Sequence, residues 1–382
     1  MKQILYTSCL CSSETEEKLR KTSGKGIGLQ AQKYHRLTTI GLARNNVQVT
    51  ALSYFNGLTT SETAEDEDEN DVHFRYVLNK NGKKCSRLQA LFKSFRYAFG
   101  FFKKNENSAM ICDVLNFSVS YGALLAAKFR RKKVIGIITD FPDFVFRKGS
   151  LVYYCTWHLI RHCDAYVVLT EQMKEKLSPK KQVIVQEGLV HIDDARIRNV
   201  LEEKHSPKRI VYAGTLQKKY GIELLVKGFQ SAGIDNTELH IYGGGEYETE
   251  LSEMNDPRIV YHGIAANKEI VKEERLCTLL VNPRPSNEEF TKYSFPSKNM
   301  EYMASGTPVL TSLLPGMPKE YLDYVYIIRE ETVEGIAEEL KTIFKSEPSV
   351  LHQKGLEARN FVLNYKNNTY QTKKILDFIE QC

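Results

Sequence analysis

The sequence predicts an α/β protein built from two doubly wound domains. Its 382 residues exceed what one hydrophobic core usually supports. In both halves of the chain, short apolar segments alternate with helical patterns, as in parallel sheets that are covered by helices. Most of the short segments are continuously apolar, which is typical of strands that are buried on both faces.

Thirteen segments are predicted to be strands. Those of the first half are 2–8, 47–54, 72–78, 113–118, 134–140, 164–170 and 182–188, and those of the second half are 209–215, 237–243, 258–263, 276–283, 307–313 and 324–328. The acidic run 62–71 is predicted to be a solvated loop because its like charges repel one another. Residues 190–208 are polar and separate the halves. We therefore expect domains over 1–205 and 206–365, followed by an amphipathic helix over 366–382.

Charge and cysteine content narrow the range of partners and of cellular locations. Residues 1–207 hold 32 Lys and Arg against 22 Asp and Glu, whereas residues 208–382 hold 21 against 25. The first half therefore favours an anionic partner: a phosphate-bearing acceptor, a lipid surface or a nucleic acid. The eight cysteines form no CxxC pair, so we expect a reduced, cytoplasmic protein without a metal site. No apolar run approaches the ~20 residues that span a bilayer.

Glycine-containing loops follow predicted strands in both halves. Backbone N–H groups in such loops and at helix amino ends can bind pyrophosphate, although glycine also serves simply to turn the chain. The candidate residues are Gly26, Ile27 and Gly28 for a phosphate or acceptor loop, and Gly214, Gly243 and Gly244 in the second half. The sequence has no P-loop motif. Ligands of doubly wound sheets bind beyond the carboxyl ends of the strands.

A short helix after Pro296 carries the most informative pattern. Ser297 is predicted to be its N-cap, and Gly306 is predicted to end it in the left-handed conformation. Lys298 and Glu301 then share one face, one turn apart. A lysine at a helix amino end suits a diphosphate, and a carboxylate one turn later suits a ribose diol. An ordinary surface ion pair is the alternative.

The run FPSKNMEYMASGTPVL resembles the signature of the family 4 retaining glycosyltransferases, in the subgroup of bacterial exopolysaccharide, capsule and lipopolysaccharide synthesis. GIGLQAQKYHRL, IGIITDFPD, IVYAGTLQKKYGIELL and LHIYGGGEYETEL also stand in that family's order. The resemblance implies the GT-B fold, in which two Rossmann-like domains face each other across a cleft and the last helix crosses back onto the first domain. It also implies a hexosyltransferase-type enzyme that keeps the anomeric configuration and needs no metal or other cofactor. The sugar would move from a nucleoside diphosphate donor to a hydroxyl of a glycan or of a polyprenyl-diphosphate-linked acceptor.

The resemblance also implies roles for single residues. Glu301 matches the glutamate that holds the donor ribose. Tyr293 stands where the family often has a first glutamate, and Glu289 is the candidate for that missing carboxylate. Thr139-Asp140 stands where the family often has a histidine near the reacting sugar, so Asp140 or Asp143 would orient sugar or acceptor hydroxyls, although either could instead cap the following turn. The predicted catalytic residues are Lys298, Glu289 and Asp140.

The phosphate-binding positions depart from the family pattern. Thr215 and Tyr220 occupy the places of the family's Arg and Lys, so we expect Lys298 to neutralise the phosphates. Lys218 and Lys219 are further candidates, with an ordinary surface role as the alternative. The predicted donor-binding residues are Glu301, Ser297, Gly214, Thr215, Lys218, Lys219, Gly243, Gly244 and Arg284.

Segment 83–104 bears on the acceptor. Its apolar residues follow helical spacing and are flanked by Lys and Arg, which is the pattern of a helix in a lipid interface. The alternative is a helix that packs this stripe on the domain core. If the segment lies in a lipid interface, the protein also contacts the cytoplasmic face of an anionic membrane. Two other functions stay open: a nucleotide-sugar epimerase or hydrolase with the same fold, and a nucleic-acid-binding protein, which we do not expect because no binding module is recognisable.

Overall fold

The computed structural model describes residues 2–23, 29–55, 66–79 and 85–382. Contacts divide the chain into two compact units. The N-terminal unit comprises Met1–Leu189 with Asn368–Cys382, and the C-terminal unit comprises Val190–Asn367.

Each unit contains one sheet. The strands of the N-terminal unit are β1 Gln3–Ser8, β2 Gln48–Ser53, β3 Asp66–Glu69, β4 Val72–Tyr76, β5 Ser108–Asp113, β6 Val134–Ile138, β7 Ala165–Val168 and β8 Val183–Val185. Those of the C-terminal unit are β9 Lys208–Ala213, β10 Thr237–Tyr242, β11 Ile259–Tyr261, β12 Leu279–Asn282, β13 Val309–Ser312 and β14 Tyr326–Ile328.

Helices connect the strands in both units. In chain order they are α1 Ser13–Ser23, α2 Leu29–Arg44, α3 Arg87–Lys104, α4 Phe117–Phe129, α5 Pro142–Val145, α6 Leu151–His162, α7 Glu171–Lys174, α8 Ile222–Ala232, α9 Glu248–Ser252, α10 Asn267–Leu276, α11 Ser297–Ser305, α12 Val333–Phe344, α13 Pro348–Tyr365 and α14 Asn368–Gln381.

Both sheets are doubly wound, as the sequence predicts. The strand order is β3-β4-β2-β1-β5-β6-β7-β8 in the first sheet and β11-β10-β9-β12-β13-β14 in the second. All described pairings are parallel except that of β3 with β4. The strand order reverses beside β1 in one unit and beside β9 in the other, so the carboxyl ends of these two strands are the expected ligand-binding points. Strand side chains make up most of the core cluster in the N-terminal unit, whereas helix side chains outnumber strand side chains in that of the C-terminal unit.

The predicted strand over 113–118 is wrong. The strand is β5, which ends at Asp113, and α4 begins at Phe117. The Asp113 carboxylate accepts a hydrogen bond from the Leu115 N–H at 2.9 Å, which supports the turn between the two elements. The apolar run before Asp113, rather than the one after it, forms the strand.

The acidic run is a loop only in part. Residues 66–69 form the edge strand β3, antiparallel to β4, and 62–65 lie outside the described residues. Nearby donors compensate the carboxylates: the Ser13 hydroxyl donates to Glu69 at 2.8 Å and the Thr15 hydroxyl donates to Glu67 at 2.8 Å. Long-range pairing of this kind cannot be read from local charge.

The contacts divide the chain after Leu189, sixteen residues before the predicted boundary at 205. The polar segment that follows is bonded to the C-terminal unit. The Asn199 amide donates to the Ser305 carbonyl at 2.8 Å, and the Lys204 ammonium donates to the carbonyls of Arg275 and Cys277 at 2.8 and 2.9 Å. The polar residues of this segment therefore bind it to the C-terminal unit by hydrogen bonds, and the segment is not a free linker.

Gly41→Ala tests the packing of α14 on the N-terminal unit. A Cβ at Gly41 would lie 2.3 Å from the carbonyl oxygen of Asn368, and overpacking of this kind costs about 1–3 kcal/mol of unfolding free energy. We expect a lower denaturation midpoint and faster proteolysis of 368–382. Gly100→Ala is the control, because a Cβ there meets nothing within 4 Å. Equal midpoints for the two variants would contradict this contact.

Candidate functional site

Two glycine loops meet at the switch point of the C-terminal sheet. Gly214 directly follows β9, and Gly243 directly follows β10. The Gly214 N–H donates to the Tyr242 carbonyl at 2.8 Å. Gly243 has a φ of +132°, and a Cβ there would lie 1.8 Å from the Gly214 carbonyl oxygen. Close backbone packing therefore explains glycine at 243.

Helix α11 begins one residue earlier than predicted. Pro296 is the N-cap residue and Ser297 is the first helical residue, so the prediction of Ser297 as the N-cap is wrong. Pro296 has an extended backbone with φ −74° and ψ 92°, which lets the chain enter the helix without a side-chain cap. The predicted end is confirmed: Gly306 follows the helix with φ +80°.

Lys298 brings α11 and the glycine loops together. Its ammonium donates to the carbonyl of Ala213, the last residue of β9, and lies 5.1 Å from the centroid of the Tyr212 ring. A Cβ at Gly214 would lie 1.5 Å from the Lys298 Nζ atom. The lysine therefore occupies the space that a side chain at 214 would fill, and its charge lies at the carboxyl end of the central strand.

Burial shifts the titration of this lysine. Burial lowers the pKa of Lys298 to about 8, while Glu301 and then Glu274 oppose the shift and Arg284 adds to it. Burial removes solvent from the charged form and so destabilises it, yet at pH 7 a pKa of about 8 leaves most of the lysine protonated. A bound anion would stabilise the charge. A partly buried ammonium with a lowered pKa at a switch point is therefore a candidate functional group.

Tyr302 fixes the strand end from the same helix. Its hydroxyl accepts from the Ala213 N–H at 3.0 Å and lies 3.3 Å from the Ala213 carbonyl oxygen. The side chain is buried. No sequence motif predicts a role for Tyr302, although its spacing of four residues from Lys298 puts both on one face of the helix. Together the two side chains tie α11 to β9.

Arg284 is a second cation beside this edge. Its guanidinium lies over the rings of Phe290 and Tyr220, at 4.5 and 5.5 Å from their centroids, and donates to the Ser294 hydroxyl at 3.4 Å. A Cβ at Gly221, whose φ is +82°, would lie 2.0 Å from the Pro283 carbonyl oxygen. This close approach holds the loop after β12 against the turn that precedes α8.

Lys218 and Lys219 lie at the surface. The Lys218 ammonium is 3.2 Å from a Glu250 oxygen and 3.8 Å from a Glu223 oxygen. Lys219 lies 5.2 Å from the centroid of the Tyr220 ring. Thr215 is exposed, and its carbonyl accepts from the Tyr212 hydroxyl at 2.9 Å. Both lysines are therefore ordinary exposed side chains here, which is the alternative that the sequence left open.

The two candidate glutamates differ in their surroundings. Glu301 is half-buried one turn after Lys298, close enough to raise the pKa of that lysine against the effect of burial. Glu289 is exposed at the start of a 3-10 turn, Glu289–Tyr293. It directly precedes Phe290, the ring that Arg284 contacts. The turn is held by the Thr291 hydroxyl, which donates to the carbonyls of Ser286 and Glu288 at 3.0 and 2.5 Å.

The N-terminal unit has a polar cluster at its own switch point. Asp113, at the end of β5, accepts from the Ser8 hydroxyl at 2.9 Å and lies 3.4 Å from His35 Nε2. His35 Nδ1 is 2.6 Å from the Tyr6 hydroxyl oxygen. Burial lowers the pKa of His35, so the ring is neutral at pH 7. No sequence motif predicted this cluster, because its members come from three separate elements.

The sequence also predicts functional residues at two other places in the N-terminal unit, at Asp140 and at residues 26–28. Asp140 follows β6 at the same edge of the sheet and is half-buried. Gly26, Ile27 and Gly28 lie outside the described residues.

A cavity of about 440 Å³ opens beside α10 in the C-terminal unit. The His262 and Tyr242 rings stack along it, with centroids 4.3 Å apart. Ile264 lines its mouth and lies beside Gly244, where a Cβ would be 3.1 Å from the Ile264 Cδ1 atom. Lys298, Gly214, Gly243, Gly244 and this cavity therefore follow one another along a single edge of the sheet.

The described residues contain neither a candidate metal cluster nor a membrane-spanning helix. Within 2–23, 29–55, 66–79 and 85–382, no three His, Cys, Asp or Glu side chains are grouped so as to hold a metal ion. In the same ranges, every helix is too short or too polar to cross a bilayer.

Three solved structures resemble this chain over nearly its whole length. Sucrose-phosphate synthase from Thermosynechococcus elongatus gives a TM-score of 0.68 at 14% identity, covering 100% of this chain and 99% of that chain. HepE from Anabaena, in complex with UDP, gives 0.63 at 11% identity, with 100% of each chain covered. A TarM variant from S. aureus, in complex with Fondaparinux, alpha-GlcNAc-glycerol and UDP, gives 0.66 at 11%, covering 99% and 100%. These identities establish the fold alone, and it is the GT-B fold.

A family match then defines the class of enzyme. Residues 193–361 match the family model described as Glycosyl transferases group 1. The matched range lies within the C-terminal unit and contains Gly214, Gly243, Lys298 and Glu301. The chain is therefore a glycosyltransferase, and the predicted enzyme class is confirmed. No curated protein sequence matches the chain significantly.

Gly214→Ala tests the close packing of Lys298 against Gly214. The added Cβ would displace the Lys298 ammonium, a mobile group, rather than the backbone. We expect the variant to fold but to lose about 1–3 kcal/mol of unfolding free energy, the usual cost of overpacking. Chemical denaturation measures the change, with Gly100→Ala as the control, because a Cβ there meets nothing within 4 Å. Equal midpoints for the two variants would contradict the close packing of Lys298 against Gly214.

Proposed function

We propose that the protein transfers a sugar from a nucleoside diphosphate donor to a hydroxyl of its acceptor, and that Lys298 binds the donor diphosphate. One observation carries the proposal: a partly buried ammonium lies against Gly214 at the switch point of the C-terminal sheet. Glu301, one turn later, would accept hydrogen bonds from the donor ribose, and Arg284 would add positive charge beside the phosphates.

The chemistry of glycosyl transfer suits this arrangement. As the bond between the anomeric carbon and the diphosphate breaks, negative charge accumulates on the leaving group. A fixed cation stabilises that charge most in the transition state, because the surrounding protein is already arranged around it. The amino end of α11 adds the partial positive charge of a helix terminus.

UDP is the first nucleotide to test. HepE and TarM, which share the fold, were solved in complex with UDP. In our proposal the diphosphate lies at Lys298 and Gly214, and the base extends past Gly244 toward Ile264 and the neighbouring cavity. The stacked rings of Tyr242 and His262 would form one wall near the base.

We further propose that the anomeric configuration is retained, as the resemblance to family 4 implies. The acceptor oxygen would attack the anomeric carbon on the face from which the diphosphate leaves. Its proton would pass to the departing phosphate oxygen, so that one C–O bond forms as another breaks. Glu289 would stabilise the sugar in place of the family's first glutamate, and Asp140 would contact sugar or acceptor hydroxyls.

The acceptor and the location of the enzyme are also proposals. A glycan or a polyprenyl-diphosphate-linked sugar fits the resemblance to enzymes of surface polysaccharide synthesis, and the net positive charge of residues 1–207 suits an acceptor that bears phosphate. We propose a cytoplasmic enzyme that works at the inner face of the cytoplasmic membrane, with no metal requirement.

Lys298→Met tests the central role of this lysine. The ammonium binds phosphate only when protonated, and in the free protein its pKa is about 8. Affinity of the native protein for UDP should therefore be constant from pH 7 to about 8 and then fall by up to ten-fold per pH unit. Lys298→Met should bind UDP at least ten-fold more weakly at pH 7 and lose the decline above pH 8.

Calorimetric titration between pH 7 and 9.5 measures both effects. Lys345→Met, which removes an exposed lysine of the same unit, is the matched control and should behave as the native protein. Thermal unfolding verifies that both variants fold. A Lys298→Met profile parallel to that of the native protein would overturn the assignment.

Glu289→Gln tests the proposed carboxylate near the sugar. Removing its charge should slow sugar transfer at least ten-fold while leaving UDP affinity unchanged, because Glu289 would act on the sugar and not on the nucleotide. Glu288→Gln, one residue earlier, is the control. The assay follows UDP release from UDP-sugars with and without a polyprenyl-diphosphate-linked acceptor. Intact turnover in Glu289→Gln excludes this role. A rate of UDP release that is the same with and without acceptor favours a hydrolase or epimerase.

A further inference from the structure

Helix α3 has a core-facing side and a second, exposed apolar side. Its buried residues are Ala90, Ser94, Ala98 and Phe102, and the helix packs closely on α4, where a Cβ at Gly122 would lie 2.2 Å from the Leu91 carbonyl oxygen. This side of α3 therefore packs on the domain core, which is the alternative that the sequence left open. Core packing does not account for Leu88 and Phe92, which are 71% and 67% exposed.

Two neighbouring helices expose apolar side chains in the same way. On α4, Leu125 and Phe129 are 40% and 72% exposed, and on α6, Leu151 and Tyr154 are 78% and 61% exposed. The spacing of three or four residues puts each pair on one face of its helix. Among the described residues, nine of the fourteen exposed large apolar side chains lie between 88 and 154. Such concentration marks an interaction surface.

Ring contacts join the three helices into one continuous surface, which we call the α3–α4–α6 face. The Phe99 ring of α3 lies 5.5 Å from the Phe129 ring of α4. The Tyr121 hydroxyl oxygen of α4 lies 3.2 Å from His158 Nδ1 of α6. The exposed apolar side chains therefore form a shared patch rather than isolated protrusions.

The helices of this face carry positive charge. Helices α3, α4 and α6 contain no Asp or Glu, and Asp164, just after α6, pairs with Lys128 at 2.6 Å. Their seven basic residues are Arg87, Lys93, Arg96, Lys103, Lys104, Lys128 and Arg161. The segment Arg130–Lys133 adds four more directly after α4, and the Arg130 guanidinium lies 5.5 Å from the Phe99 ring centroid. Much of the positive charge of residues 1–207 is thus gathered around the exposed apolar side chains.

We propose that the α3–α4–α6 face docks the protein on an anionic lipid bilayer. Exposed Leu and Phe insert at the level of the acyl chains, while Lys and Arg bind the headgroup phosphates. A second copy of the same face would bring like charges together, which disfavours self-association. Nucleic acid would leave Leu88 and Leu151 in water. The inference rests on the N-terminal unit alone and does not depend on the proposed donor site.

Flotation of the full-length protein with vesicles tests the proposal. The native protein should float with vesicles of phosphatidylcholine and phosphatidylglycerol at a ratio of about 7:3, stay behind with phosphatidylcholine alone, and lose binding as salt rises. Phe92→Ser with Phe129→Ser, and separately Arg96→Glu with Lys103→Glu, should each weaken vesicle binding at least ten-fold. The matched controls are Val350→Ser, an exposed apolar residue, and Lys345→Glu, both in the C-terminal unit.

Thermal unfolding, measured for every variant, serves as the test of folding, and UDP binding separates this proposal from the donor site. Vesicle binding that persists in a protein unable to bind UDP still supports docking. Native protein that stays with the soluble fraction, equal binding to neutral vesicles, or double variants that float like the controls would each overturn it. Dimers that form through this face without lipid would also overturn it.

Discussion

The bond between the Lys298 ammonium and the end of β9 is the interaction on which the C-terminal site depends. It draws a charged group into a partly buried position, where burial lowers its pKa to about 8. Glycine at 214 leaves the space that the ammonium occupies, and Tyr302 holds the same strand end through its hydroxyl. A buried charge is unfavourable without an anionic partner. A bound diphosphate would be that partner for the Lys298 ammonium.

The same fold gives the two units different chemical characters. The C-terminal unit has two cations, Lys298 and Arg284, and two glycine loops at its switch point. The N-terminal unit holds a buried cluster of Ser8, His35 and Asp113 at the equivalent point, with its cations on the helices. Doubly wound sheets fix where a ligand binds and leave its chemistry to a few side chains. In our proposals, one unit binds the nucleotide while helices of the other contact the membrane.

Local patterns predicted the fold better than the site. Continuous apolar runs located most strands, because strands buried on both faces have a simple pattern. The strand before Asp113 and the edge strand Asp66–Glu69 escaped prediction because the first depends on where a turn forms and the second on distant partners. The pairing of Lys298 with Gly214 joins residues 84 positions apart. Sequence motifs named both residues, but only the structure shows that the ammonium fills the space beside the glycine.

A crystal structure with UDP would show whether Lys298 binds the donor. We expect a diphosphate within hydrogen-bonding distance of the Lys298 ammonium, beside Gly214, with the ribose hydroxyls at Glu301. A diphosphate bound elsewhere, with Lys298 still directed only at the Ala213 carbonyl, would contradict it.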